Sequence, residues 1–144
     1  MAALKRSPAV EFYWKFHRTL YKWTNGVLGG RVIGMPVLLL TTTGRRSQQP
    51  RTTPLTYLEH DGAFVVIASY LGEPNHPAWW LNLQATPSAS VQIGGQHIPV
   101  CAREAEGAER ETLWDRVVAI APDYDEYRRR THRRIPVVVL DRTR

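Results

Sequence analysis

Between two strand-like runs the chain carries Thr41-Thr42-Thr43-Gly44-Arg45-Arg46-Ser47-Gln48-Gln49-Pro50-Arg51, a concentration of hydroxyl and guanidinium groups around one turn. Guanidinium forks grip phosphate or carboxylate oxygens with paired bonds, and Ser and Thr hydroxyls together with the turn's own N–H groups add further donors. The chemistry on offer is capture of an anion. A solvated polar hairpin tip would use the same residue types, so the cluster by itself leaves both readings open.

A second concentration runs from Ser69 and Tyr70 through Asn75-His76-Pro77-Ala78 to Trp79 and Trp80. A strand ending in a loop before an aromatic helix can hold a flat ring against backbone amides, with tryptophan as the apolar wall. The same tryptophans could instead plug a core. A third feature is Tyr124 and Tyr127, three residues apart and so on one helix face. A phenol can stack on a substrate and donate a proton where hydride addition leaves an oxyanion, or it can serve packing alone.

Other chemistries lack their residues. His17, His60, His76, His97 and His132 are scattered without metal-ligand spacing, and Cys101 is the only cysteine, so no metal is expected. No G-x-S-x-G elbow, G-x-G-x-x-G turn or Walker sequence occurs. An enzyme built from this chain would lean on a cofactor for the hard step.

The elements that must position these groups follow from periodicity. Residues 9–28 read as an amphipathic helix, with Tyr13, Phe16, Leu20, Trp23 and Val27 on one broad face and Glu11, Lys15, Arg18 and Lys22 opposite. Strands are expected over Pro36–Thr42, Arg51–Glu59, Ala63–Ser69, Ser90–Ile93, His97–Arg103 and Ile135–Leu140, with His60-Asp61-Gly62 and Gly94-Gly95 as turns. Pro136 would then belong at an edge or a bulge. Helices are expected over Pro77–Gln84, Ala108–Ile120 and Asp123 to about Arg130. Hairpin-linked strands with helices outside, and no βαβ alternation, give an α+β plan of about six mostly antiparallel strands curling into a small barrel. The expected organisation is a lead-in over 1–35 and a barrel over 36–144, one domain overall.

The size of the chain, 144 residues, suits one core, and 43% hydrophobic with 22% charged residues excludes a disordered class. The longest apolar run, Val37–Leu40, is far short of the roughly 20 residues that span a bilayer. A lone cysteine and no secretory pattern from Met1 to Pro8 point to a reducing cytoplasm. The formal net charge of +6 favours an anionic partner without saying which. Lys5, Arg6, Lys15, Arg18 and Lys22, flanked by Trp14 and Trp23, would suit peripheral contact with an anionic membrane face, or a helix packed on its own barrel or on the mate of a homodimer. No recognition motif for nucleic acid is present.

The run from Pro36 through Thr41-Thr42-Thr43-Gly44-Arg45-Arg46-Ser47 to Pro54-Leu55 resembles the deazaflavin-dependent nitroreductase family. The likeness continues through Val65–Ser69, Asn75 to Leu83, Pro87, and Thr131 to Leu140, in family order. It implies a split β-barrel and coenzyme F-420, a 5-deazaflavin with a phospholactyl and oligoglutamate tail, as hydride donor to quinones, nitroaromatics or other activated acceptors. It further implies that Arg45, Arg46, Ser47 and Arg51 grip the phosphate and acidic tail while Thr42, Thr43 and Pro54 shape the adjoining groove. Ser69 and Tyr70 would border the ring, Trp79 would wall it, and Tyr124 and Tyr127 would close over the acceptor. Four positions depart from the family pattern: Gln48 for a usual Gly, Tyr70 for Lys or Asn, Trp80 for Tyr, and Ala121, where a Tyr often precedes Pro122. The Ala121 departure would open the acceptor pocket. Alternatives are the same barrel holding FMN, or a non-catalytic carrier of the deazaflavin or an apolar ligand.

Overall fold

The computed structural model describes residues 35–69 and 75–143. The helix expected over residues 9–28 lies outside them. Among the described residues seven strands, β1 (Val37–Thr43), β2 (Pro50–Thr56), β3 (Leu58–His60), β4 (Ala63–Ile67), β5 (Ser88–Ile93), β6 (Gln96–Glu104) and β7 (Val137–Arg142), accompany three helices, α1 (Ala78–Ala85), α2 (Gly107–Ile120) and α3 (Asp123–Arg130). All pairings are antiparallel, in the order β2-β1-β5-β6-β7-β4-β3.

The expected run Arg51–Glu59 is two strands rather than one. β2 pairs with β1 and β3 pairs with β4, at opposite ends of the strand order, and only Tyr57 separates them. A chain that passes from one edge of a sheet to the other within one residue forces that sheet to curl, and this produces the split barrel. Tyr57 anchors the crossing by donating its N–H to Pro36 O at 3.0 Å and setting its ring edge-on to Phe64. The β3–β4 turn has positive φ at both Asp61 and Gly62, the geometry of a two-residue hairpin.

Side chains of the central strands alternate between two apolar clusters. Phe64 and Val66 of β4, with Val138 and Leu140 of β7, point inward to meet Leu38, Leu40, Val91, Val100, Trp79, Trp80 and Leu83. Val65, Ile67, Val137 and Val139 point the other way, beneath Leu113, Trp114 and Val117 of α2 and Tyr124 of α3. Strands buried on both faces carry continuous apolar runs, hence Ala63–Ile67 and Val137–Leu140. Pro136, expected at an edge or bulge, sits just before β7 in the middle of the sheet, where it contributes only its carbonyl, accepting from Ala68 N–H at 3.0 Å. Lacking an N–H, it marks where the ladder starts.

Candidate functional site

The β1–β2 turn closes on itself. Gly44 N–H donates to Gln49 O at 2.8 Å and Gln48 N–H to Gly44 O at 2.9 Å. A Cβ at Gly44 would lie 2.7 Å from Ser47 Oγ and 3.1 Å from Gln49 O, so only glycine lets the loop shut this tightly. Ser47 Oγ accepts from Gln49 N–H at 3.2 Å and from Arg51 Nη2 at 3.1 Å, tying the last arginine to the turn. Gln48 occupies the left-handed region at φ 61°, a conformation that favours glycine; its Nε2 donates to Gly44 O and Arg45 O.

α1 supplies the facing wall. Asn82, buried mid-helix, accepts from Arg45 N–H at 3.0 Å through Oδ1 and donates through Nδ2 to Thr42 Oγ1 at 3.1 Å. One amide therefore satisfies the turn, the strand and itself, and it fastens α1 to the β1–β2 tip. Sequence reasoning assigned Asn82 no role, although a signal existed: an asparagine inside the apolar helical run Trp79-Trp80-Leu81-Asn82-Leu83, three residues from Trp79, must find a buried partner.

Between turn and helix lies an open groove of about 380 Å³, lined by Thr42, Gly44, Arg45, Arg46, Ser47, Arg51, Thr53, Ala78, Trp79 and Asn82. Thr42, Arg51 and Thr53 share one face of the β1–β2 ladder, because Thr42 pairs with Arg51 and Leu40 with Thr53. The arginines are exposed, and among the described residues none of the three forms an ion pair with a carboxylate, whereas Arg103, Arg128, Arg129, Arg134 and Arg142 all do. Three guanidinium groups without a carboxylate partner, hydroxyls at Thr42, Ser47 and Thr53, and a tryptophan wall form a donor set of the kind that suits an anion beside an apolar surface. Trp79 serves both groove and inner core, while Trp80 belongs to the core.

The remaining expected residues lie elsewhere. Thr43 faces a shallow cleft on the other side of the turn, with Gln48, Pro50, Ser88 and Ser90. Pro54 and Thr56 point to the face of β2 opposite the groove, where the Thr56 hydroxyl shares a 2.7 Å hydrogen bond with Tyr124. Tyr124 is 5% exposed, and burial pushes its phenol above the usual value. Tyr127, half-buried, meets it edge-on at 5.5 Å and is raised for the same reason. Ser69 is buried at the end of β4. Tyr70 lies outside the described residues. Ala121, expected to open an acceptor pocket, is fully buried in the outer core between α2 and α3, with its N–H bonded to Val117 O.

Residues 13–142 match the family described as F420H(2)-dependent quinone reductase. An F420H(2)-dependent quinone reductase of Mycobacterium tuberculosis is 40% identical over 132 residues, 89% of each chain. A solved F420-H2 dependent reductase, FDR-A, is 43% identical with TM-score 0.68, covering 74% of this chain and 94% of its own. A solved domain-swapped dimer is 39% identical with TM-score 0.68, covering 94% of this chain and 100% of its own.

Proposed function

The chain belongs to the F420H(2)-dependent quinone reductase family, and from that premise we propose that the groove between the β1–β2 turn and α1 seats the phospholactyl and oligoglutamate tail of coenzyme F-420. The protein is an oxidoreductase that uses this coenzyme and reduces quinones. The observation that carries the assignment is the trio Arg45, Arg46 and Arg51, which faces one groove with no carboxylate to neutralise it.

The donor set fits the group. Guanidinium forks suit phosphate and γ-linked carboxylates, and Ser47, Thr42 and Thr53 add hydroxyls at the groove wall. When bound, the reduced deazaflavin supplies the hydride; the chain's own residues bind, orient and shield. Arg45, Arg46, Ser47 and Arg51 hold the tail, Thr42 and Asn82 fix the turn that carries them, and Trp79 walls the aromatic body. On the same reading Ser69 and Tyr70 border the ring, Tyr70 lying outside the described residues, while Thr43 and Pro54 face away from the groove and contribute only through the strands that carry it.

Of the two phenols, Tyr124 is buried with its hydroxyl engaged by that of Thr56, so Tyr127, half-buried and edge-on to it, is the one left to meet a quinone. A tyrosine phenol is protonated at neutral pH and can donate as the acceptor gains negative charge. The same reading takes residues 1–35 as a lead-in to a single barrel domain over 36–144. It also takes the chain as a homodimer, supported by the solved domain-swapped dimer, and as cytoplasmic with peripheral lipid contact, supported by the cations and tryptophans of the lead-in. No helix among the described residues is long and apolar enough to cross a membrane.

The test is titration with coenzyme F-420 and separately with FMN, followed through tryptophan fluorescence, then addition of menadione to the reduced complex. Tight deazaflavin binding and oxidation by menadione are expected. Preference for FMN, or binding without turnover, would replace the reading with a flavin reductase or a carrier.

A further inference from the structure

Outside the groove, one charged side chain ties together segments that are distant in sequence. The register of β4 on β7 places Ile67 opposite Val137 and brings Pro136 O to Ala68 N–H. Arg133, three residues upstream, then reaches across the end of β4. Its Nη1 donates to Ala68 O at 3.1 Å and lies 3.0 Å from His76 Nδ1, and its Nη2 donates to Ser69 O. Ala68 and Ser69 follow β4; His76 stands two residues before α1.

A guanidinium has donors only. His76 Nδ1 must therefore be the acceptor, which makes the ring neutral with its proton on Nε2. A second proton would set N–H against N–H and add a positive charge 3.0 Å from Arg133, breaking the contact. Among the described residues the charged groups that bear on His76 are Arg133 and, more weakly, Glu104 of β6, and burial together with Arg133 lowers its pKa below the ordinary 6.5.

We propose that Arg133 is a positioning residue for the groove: by joining the end of β4 to a neutral His76 it sets the start of α1, and so the seat of Trp79 and Asn82, and protonation of His76 releases that seat. The consequence for function rests on the coenzyme assignment above, but the tie itself does not. Because the folded pKa of His76 is depressed, its neutral form supports the fold fully above the unfolded value near 6.5, and that support is lost as pH falls through the folded pKa.

The test uses the full chain labelled with nitrogen-15, first without coenzyme. His76 Nδ1 should give the shift of an unprotonated, hydrogen-bonded nitrogen at neutral pH and should titrate below pH 6.5. The backbone amides of Ala78 to Asn82 should move along the same curve. Arg133→Gln should return the titration toward the ordinary value and displace those amides at neutral pH. His76→Asn, which keeps an acceptor in place of Nδ1 and cannot titrate, should remove the pH dependence of the α1 amides. A proton on Nδ1 at neutral pH, or α1 amides indifferent to both variants, overturns the proposal whatever the coenzyme does. With F-420 added, Arg133→Gln should weaken binding roughly tenfold, the value of one charge-assisted hydrogen bond. His76→Asn should bind as the wild type does but with no loss toward acid pH; an unchanged acid loss overturns the functional half. If the wild type binds no F-420 while the tie behaves as described, the coenzyme assignment fails and the tie stands.

Discussion

The two ends of the β2–β3 run have arginines around them in opposite circumstances. At the β3–β4 end, Arg103 lies between Glu109, which it grips with both Nη atoms, and Asp141 at 2.7 Å. Arg142 meets Glu59 and covers the Phe64 ring at 4.6 Å, and Arg116 donates to Glu59 O and bonds His60. At the β1–β2 end, Arg45, Arg46 and Arg51 have hydroxyl, amide or carbonyl partners at most. On the proposed reading the paired cations serve the fold, while those left without a carboxylate beside the groove hold their charge in reserve for a ligand. Residue type does not distinguish the two ends, and partner geometry does.

The largest effect should come from removing the reserved charge. Arg46→Ala or Arg51→Ala should raise the F-420 dissociation constant roughly 10- to 100-fold, equivalent to about 1.5–3 kcal/mol for a hydrogen bond to a charged group, with the melting temperature nearly unchanged. Isothermal calorimetry beside thermal melts checks both halves. Asn82→Ala should do the reverse in emphasis: it strands the Arg45 N–H and the Thr42 hydroxyl, so stability should fall by about 1–3 kcal/mol, measured by urea unfolding, and coenzyme affinity should fall with it because the turn comes loose from α1. Tyr127→Phe should slow menadione reduction several-fold at unchanged coenzyme affinity, as general-acid assistance is withdrawn without loss of the wall; equal turnover would leave the phenol a packing group only. Arg103→Ala should leave F-420 binding untouched and cost about 0.5–1 kcal/mol, the worth of a half-exposed ion-pair network. Smallest of all, Gln48→Gly should stabilise by about 0.5 kcal/mol, the left-handed strain it relieves being partly offset by chain entropy.

The arginine cluster of the proposed anion site was legible in the sequence because its three cations lie within one turn, Arg45 to Arg51. The partners that fix the turn were less so. Asn82 is 37 residues from Arg45, and only the packing of α1 on β1 brings the two together. The break at Tyr57 could not be read because Arg51–Glu59 is uniformly strand-like; what divides it is that its halves pair with different strands, a long-range fact without a local mark. Tyr124 and Ala121 show a related limit. Periodicity places Tyr124 on a helix face, but which face of β2 it meets depends on the parity of Thr56 against Thr53, and that is fixed by barrel closure. Arg133 and His76 gave no signal as a pair, since they are 57 residues apart and meet only through the register of β4 on β7.

The central claim is that unpaired arginines recognise the coenzyme through its anionic tail. It is tested most directly by comparing the affinity of the wild type and of an Arg46→Ala, Arg51→Ala double variant for coenzyme F-420 and for its tail-free deazaflavin. The wild type should bind the full coenzyme at least roughly tenfold more tightly than the tail-free form, by the strength of charge-assisted bonds, and the double variant should bind both alike. Equal affinity of the wild type for the two ligands, or a tail preference that survives in the double variant, would contradict it.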